Sequence, residues 1–481
     1  MKATDTDLQG NRNGTMSWGL LIVLCGAIFL EGIDVSMMGV ALPSIRMELG
    51  MSTGALSWVV SAYVLGYGGF MLLGGRAADL LGRRRMFLTW LSIFLVFSGI
   101  GGFASEGWML IAARFVTGVA AAFMTPAGLS IITTSFPEGP QRNKALLVYA
   151  GTAAAGFSLG LVVGGLLTGL DWRWVFYAPV ILALVILLAA IRLIPRSDRP
   201  ERSPHGFDFG GAVSITGAML LLVSAVVHVT EAEWIWTLGT LAAGLLFLAA
   251  FVVIERRSAS PLMRLGILRS GALLRANLGA ILLTGSFFGF QFIAVLYLQE
   301  LRGWSALETG LALLAVGVDA ILAPTLTPRL VNRFGSVRVI CGGLSLAAVS
   351  YALFLPVDLD WSYAAMFPTM ILTGIAFALT YGPLTIAATD GIAEEEQGLA
   401  GGLLSTSMQF GAALGLSVVT AVIDLAAAGT DGSPQAALDG FRTALWVPVT
   451  AALLGAAITS IGLRRRSAAD LSPPAPQTER M

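Results

Sequence analysis

Two carboxyl groups inside a long apolar segment are the side chains of this sequence best suited to proton chemistry. Glu31 and Asp34 lie in a predicted helix from about Ser17 to Leu42, and their spacing of three places both near one face of that helix. An ionised carboxylate inside a bilayer costs about 2.5–3.5 kcal/mol, so each group must be protonated, paired or in contact with water. Because burial favours the neutral form of a carboxyl group, both are candidates for binding and releasing a proton. The alternative is a structural pair that holds this helix against a neighbour.

Three other polar side chains fall within apolar segments. Arg114 lies in a predicted span from about Trp108 to Thr133. It requires an acidic partner or a water-filled cavity, unless its side chain reaches the outer end of the helix. Asp319, near the middle of a later span, could attract a cationic substrate, bind a second proton or pair with an adjacent helix. Gln409 belongs to a polar run of a still later span and is a further candidate for lining a substrate cavity.

The composition predicts a polytopic membrane protein. Hydrophobic residues make up 56% of the chain and charged residues 12%, and the mean hydropathy is +0.80, which excludes a soluble globular protein of this length. Cys25 and Cys341 both fall in apolar segments, where packing is a better explanation than a metal site. Neither Lys2 nor Lys144 follows a glycine, so no phosphate-binding loop can be written. We therefore expect that the protein is not an enzyme and that it binds no metal, cofactor, ATP or nucleic acid.

An arginine-rich stretch between two apolar runs predicts the orientation of the chain. It carries Gly75, Asp79 and Gly82, followed directly by Arg83 and Arg84. So much charge cannot lie in hydrocarbon, so the chain leaves the membrane here, and short arginine-rich loops stay on the cytoplasmic side. The glycines allow two helix ends to approach closely, and Asp79 can face a cation or the positive end of a helix. These residues are candidates for conformational gating.

The pattern of apolar segments predicts an all-α integral membrane protein with fourteen transmembrane helices and both termini in the cytoplasm. A second basic loop, Thr327–Arg338, repeats the arginine-rich stretch in degenerate form, which indicates two six-helix bundles related by duplication. The predicted organisation is an N-terminal tail (1–16), a first bundle (17–195), a linker with two inserted helices (196–273), a second bundle (274–463) and a C-terminal tail (464–481).

At this point the motifs resemble a known family. The pattern G-x-x-x-D-x-x-G-R-R-R resembles the loop between helices 2 and 3 of the major facilitator superfamily of secondary transporters, with Ala77 and Leu80 replacing its Leu and Arg. The run from Asp34 to Pro43 is similar to the helix 1 signature L-D-x-T-V-V-N-V-A-L-P of the fourteen-helix drug:proton antiporter branch.

Two further motifs resemble the same family. Arg114 and Gly118 match the R-x-x-x-G motif of helix 4, whose arginine takes part in proton transfer in that family. A fifth span is similar to the antiporter motif G-x-x-x-G-P-x-x-G-G, with Leu161 in place of the proline, so the bend of that proline is lost. Its glycines form a stripe for close helix packing: Gly156, Gly160, Gly164 and Gly165.

The resemblance implies a proton-coupled exporter in the bacterial cytoplasmic membrane. Its substrates would be amphipathic, drug-like small molecules, among them cationic antibiotics or dyes. Its other partners would be protons and the lipid bilayer. Asp34, Glu31 and Arg114 would couple proton movement to alternating access, while Asp319 and Gln409 would line the substrate cavity. Two alternatives remain at this stage: an importer or symporter of a small metabolite, and a channel or membrane-embedded enzyme.

Overall fold

In a computed structural model the described residues are 5–136, 140–195, 208–228, 234–258, 266, 270–390, 392, 394–427 and 433–470. They are almost entirely helical, and no strand occurs among them. Residues 196–207, the first part of the predicted linker (196–273), lie outside this part of the chain, as do the first four residues and those from 471 onwards.

The first half contains six helices, and two inserted helices follow it. They are α1 (Asp5–Leu49), α2 (Thr53–Leu81), α3 (Arg83–Gly102), α4 (Gly107–Ser135), α5 (Pro140–Thr168), α6 (Trp174–Leu193), α7 (Phe209–His228) and α8 (Trp234–Arg257).

The second half begins with α9 (Gly271–Leu296), which continues as a π-helical turn over Tyr297–Leu301. After it come α10 (Ala306–Leu313), a 3₁₀ segment (Leu314–Val318), α11 (Asp319–Thr325), α12 (Thr327–Phe334), α13 (Ser336–Phe354), α14 (Tyr363–Thr389), α15 (Glu394–Ala427) and α16 (Pro434–Asp470).

The helix lengths and their composition confirm an all-α integral membrane protein. Within the described residues, 13 helices are long and apolar enough to cross a bilayer, counting α10 to α11 as one span. The remaining predicted span corresponds to α7, in which residues 210–222 form an apolar helical segment. We call the face where α1 ends and α2 begins the outer face, and the opposite one the inner face, after the predicted orientation.

Three elements differ from the sequence-based expectation. Helix α1 begins at Asp5 instead of near Ser17, so the predicted N-terminal tail is helical from that residue. The arginine-rich stretch is not an extended loop: α2 continues to Leu81, and Gly82 alone separates it from α3. Gly82 adopts a φ of +96°, which L side chains rarely adopt, and this breaks the helix. The predicted span carrying Asp319 is interrupted by the 3₁₀ segment that directly precedes this residue.

The helices pack as two bundles. In the first, α1 lies against α5 and α6, while α4 lies against α2 and α3; in the second, α9 lies against α15 and α16, and α13 against α14 and α16. The halves meet mainly where α2 lies against α15 and α5 against α10, and α5 also contacts the 3₁₀ segment and α11. Helix α7 contacts both α2 and α15, and the Thr216 hydroxyl donates a hydrogen bond to the Gly69 carbonyl oxygen (3.0 Å).

The apolar core is continuous at the outer face and divided towards the inner face. One buried cluster includes outer-face residues of both halves, such as Met37 and Leu56 from the first and Tyr297 and Phe354 from the second. Nearer the inner face, one cluster belongs mainly to the first half and another mainly to the second. The halves are therefore packed together at the outer face and share much less core at the inner face.

The glycines of α5 let this helix approach α1 closely. A Cβ atom at Gly156 would lie 2.6 Å from the carbonyl oxygen of Phe29, and one at Gly164 would lie 2.7 Å from the Cα of Met37. Gly160 lies directly against Ser36, whereas Gly165 faces the start of α10 in the other half. One helix thus packs against its own bundle and against the opposite one.

We expect Gly156→Leu to destabilise the protein by about 1–3 kcal/mol, because the new side chain would overlap the α1 backbone. Thermal unfolding of the purified protein, followed by the loss of the monodisperse peak in size-exclusion chromatography, measures this effect. Gly151→Leu is the matched control in the same helix, since a Cβ there meets no atom within 4 Å. Equal losses in the two variants would contradict close packing of α5 on α1.

Candidate functional site

A buried ion pair joins α1 to α4. The Arg114 Nη1 atom donates a hydrogen bond to Asp34 Oδ2 over 2.6 Å. Only 2% of the Arg114 side chain and 1% of the Asp34 side chain are exposed. The guanidinium carbon of Arg114 also lies 4.4 Å from the ring centre of Tyr63 in α2, a cation–π contact. The partner that the sequence required for Arg114 is therefore Asp34.

The chemistry of this pair follows from its burial. Removing either partner would leave an uncompensated charge inside the protein, which costs about 3–5 kcal/mol. Two buried polar atoms beside the pair, Arg114 Nε and the Tyr63 hydroxyl, have no hydrogen-bond partner among the described residues. The network can therefore form a further hydrogen bond.

Glu31 lies one helical turn from Asp34 but in different surroundings. Its Oε2 atom accepts a hydrogen bond of 2.6 Å from the Thr125 hydroxyl of α4, and Tyr67 of α2 lies beside the same carboxyl group. Glu31 is 8% exposed. In the described part of the chain no basic side chain forms an ion pair with it.

The structure places the two predicted cavity residues, Asp319 and Gln409, away from Glu31, Asp34 and Arg114. Asp319 is the first residue of α11, half-buried, on an element that packs against α5 and α14. Gln409 lies where α2, α7 and α15 meet, and its Cβ would be 3.1 Å from a Cβ on Gly68. It lines a small void together with Met219 and Thr406. Glu31, Asp34 and Arg114 are thus brought together, while Asp319 and Gln409 are on the second half.

The predicted gating residues lie at the inner ends of α2 and α3. Gly75 faces Pro126 of α4, and Gly82 forms the break between the helices. Arg83 begins α3, and Arg84 donates a hydrogen bond of 2.8 Å to the Ile191 carbonyl oxygen in the last turn of α6. A cation at a helix C-terminus is favourable because unpaired carbonyl groups concentrate there. The side chain of Asp79 lies outside the described residues.

Two polar contacts across the halves at the outer face were not predicted from the sequence. Arg46, in the last turn of α1, forms an ion pair with Glu300 over 2.9 Å. Gln299 donates a hydrogen bond of 2.9 Å to the Val40 carbonyl oxygen. Both partners in the second half belong to the π-helical turn at the end of α9. The sequence did contain a signal for this ion pair: Arg46 and Glu300 have opposite charges and lie at corresponding positions, at the ends of α1 and α9.

An aromatic cluster between the halves was also missed, because apolar residues in an apolar helix carry no distinguishing pattern. Phe157 of α5 lies 6.2 Å from Phe287 and 6.5 Å from Phe288 of α9, measured between ring centres. The ring of Phe287 also lies 4.6 Å from that of Phe377 in α14, and the Phe377 ring stacks on the Tyr381 ring with 5.3 Å between their centres. We call these five residues the aromatic cluster.

Comparison with known proteins gives sequence relatives along most of the chain. The chain is 35% identical over 442 residues to the puromycin resistance protein pur8 of Streptomyces alboniger, covering 88% of this chain and 86% of that one. It is 35% identical to the cephamycin export protein CmcT of Amycolatopsis lactamdurans, covering 86% of each chain. It is 34% identical to the lincomycin resistance protein of Streptomyces lincolnensis, covering 84% of each.

Solved structures support the fold. A peptide transporter of the POT family in an autoinhibited form superposes with a TM-score of 0.67 at 16% identity, covering 96% of this chain and 99% of that one. A bacterial homologue of the lysosomal transporter Spinster, inward-facing and unoccupied, gives 0.66 at 17% identity with the same coverage. The sequence model of the Major Facilitator Superfamily matches residues 24–416 and 276–479. The chain therefore belongs to the Major Facilitator Superfamily.

Proposed function

We propose that this protein is a proton-coupled exporter of amphipathic drugs or antibiotics, cationic ones included, in the bacterial cytoplasmic membrane. Its similarity to antibiotic resistance and export proteins supports drug efflux. The observation that carries the proton-coupled mechanism is the buried ion pair of Asp34 and Arg114. Transport of this kind needs no catalytic residues, metal or ATP.

In the proposed mechanism, Asp34 is the group that exchanges a proton. While ionised it is held by Arg114, so α1 and α4 are fastened together. A proton on Asp34 removes its charge and weakens the pair, which frees α1 to shift against α4. Binding of the proton shifts the equilibrium between the inward- and outward-facing states. Drug and proton compete for the same cavity, so they bind alternately.

The α5 helix offers a path from this ion pair to the second half. Its glycines at 156 and 164 contact α1 at Phe29 and Met37, and the adjacent Gly165 contacts the start of α10. A shift of α1 would therefore move α5, and through α5 the contact with α10 in the second half, with no flexible loop in between. Asp319 and Gln409 would meet the substrate from the second half, and Asp79, Arg83 and Arg84 would stabilise one state at the inner face.

We expect Asp34→Asn to abolish accumulation of drug against its gradient, because the amide that replaces the carboxyl group cannot bind and release the coupling proton. The variant should also lose about 3–5 kcal/mol of stability, since Arg114 would stay buried without an anionic partner. Everted vesicles with a fluorescent cationic dye, energised by a pH gradient, measure coupling, and thermal unfolding measures stability.

The double variant Asp34→Asn, Arg114→Gln is the informative companion. It should recover most of the lost stability while transport stays uncoupled, because the buried charge is removed but the proton site is not restored. Gradient-driven dye accumulation in either variant would show that the coupling proton binds elsewhere.

We expect Glu300→Gln to favour opening of the outer face by up to about fivefold, since an ion pair as exposed as Arg46–Glu300 contributes about 0.2–1 kcal/mol. Spin labels at the outer ends of α1 and α9 measure the share of open molecules. High salt should shift the wild type in the same direction by screening the pair.

The matched control is Asp439→Asn, which removes an exposed ion pair to Arg442 within α16, where it does not join the halves. This variant should leave the distance distribution unchanged. An unchanged distribution in Glu300→Gln would show that the pair does not help to close the outer face.

A further inference from the structure

We infer that helix α12 (Thr327–Phe334) binds the phosphate group of an anionic phospholipid, such as phosphatidylglycerol, in the leaflet at the inner face. The two arginines of this helix, Arg329 and Arg333, are the residues that hold the phosphate. This inference goes beyond the proposed function, because it concerns the surrounding lipid and applies whatever compound the protein transports.

Helix α12 has a charged side and an apolar side. Arg329 and Arg333 are four residues apart, so they are neighbours on one side of the helix, and both are exposed. The other side carries Leu330 and Val331, which are half-buried, and Thr327, which is buried. The Thr327 hydroxyl donates a hydrogen bond of 3.1 Å to a backbone carbonyl oxygen of α14. The apolar side therefore fixes α12 to the second half, while the arginines point away from the protein.

The positive charge of this segment is not neutralised within it. Thr327–Arg338 contains three arginines and no acidic residue. It repeats the arginine-rich stretch of the first half, and the two positive-φ glycines that separate the helices correspond: Gly335 with a φ of +82° and Gly82 with +96°. In this alignment Asn332 occupies the position of Asp79. The second repeat thus lacks the carboxyl group that the first one carries.

Neighbouring elements do not supply the missing negative charge. Within the described residues no carboxyl group forms an ion pair with Arg329, Arg333 or Arg338. Helix α12 packs against α11, α13 and α14. Helices α13 and α14 contain no acidic residue, and the acidic residue of α11, Asp319, is the one farthest along that helix from α12. Exposed positive charge without a counter-charge in the protein attracts an anion from outside.

The position of α12 favours a lipid as the source of that anion. The helix lies between two apolar spans, residues 306–325 and 336–354, so it is at the membrane surface. Basic residues at such a surface attract anionic lipids, and arginine binds a phosphate group through paired hydrogen bonds.

An exposed aromatic ring beside the arginines distinguishes a lipid from a free phosphate ion. Phe334 is 43% exposed, and its ring centre lies 5.2 Å from the guanidinium carbon of Arg333. A phosphate ion would contact only the charged groups. A phospholipid also has an apolar part that can cover the ring, so it matches both features of this surface.

The test uses the full-length protein, purified in detergent and titrated with phosphatidylglycerol, with bound lipids counted by native mass spectrometry. We expect the double variant Arg329→Gln, Arg333→Gln to weaken binding of the first lipid about tenfold or more, since each arginine near a membrane surface contributes about fivefold. Arg329→Lys, Arg333→Lys should lose only about two- to threefold, because it keeps the charge but not the paired hydrogen bonds. Phosphatidylcholine, which has no net charge, should bind the wild type about tenfold more weakly.

The matched control is Arg256→Gln, Arg257→Gln, which removes two exposed arginines from the last turn of α8 at the same face. It should change the affinity less than twofold. Equal losses in the α8 and α12 variants, or equal affinity of the wild type for the two lipids, would overturn the inference. Displacement of the lipid by millimolar inorganic phosphate would identify a free anion as the ligand and would overturn it as well. Thermal unfolding without added lipid checks that the variants fold, and the comparison of the two lipids on the wild type decides if they do not.

Discussion

The intolerance of a bilayer for unpaired charge is the constraint on which this structure depends. Arg114 and Asp34 are tolerated inside the first bundle only as partners, and their hydrogen bond fixes the relative position of α1 and α4. Because α1 is also packed tightly on α5, the pair defines the geometry of one whole side of the bundle. A change in its charge state is therefore a change in how three helices fit together.

The outer face and the inner face differ in how the halves meet. At the outer face, a shared apolar core is supplemented by Arg46–Glu300 and by Gln299 on the Val40 carbonyl group. Towards the inner face, the core separates into one cluster for each half. Both unpredicted polar contacts use the π-helical turn after α9, where a local widening of the helix turns Gln299 and Glu300 towards α1.

The sequence predicted the membrane fold, the two inserted helices and the family, since long apolar runs and arginine-rich turns are local signals. It also predicted that Arg114 would need an acidic partner or a water-filled cavity, but it did not identify Asp34 as that partner. The Arg46–Glu300 pair and the aromatic cluster could not be predicted, because they depend on which helices of different halves become neighbours. The extent of α2 was misjudged because charge marked residues 76–85 as a loop, whereas a single positive-φ glycine suffices to turn the chain.

Helix α7 makes the two seams between the halves unequal. At the α2–α15 seam it hydrogen-bonds Gly69 through Thr216, while Ile215 of the same helix belongs to the apolar core of the second half. No inserted helix of the described chain packs on the α5–α10 seam. In a bilayer, α7 would therefore shield the α2–α15 seam from lipid, whereas lipid would meet the α5–α10 seam directly.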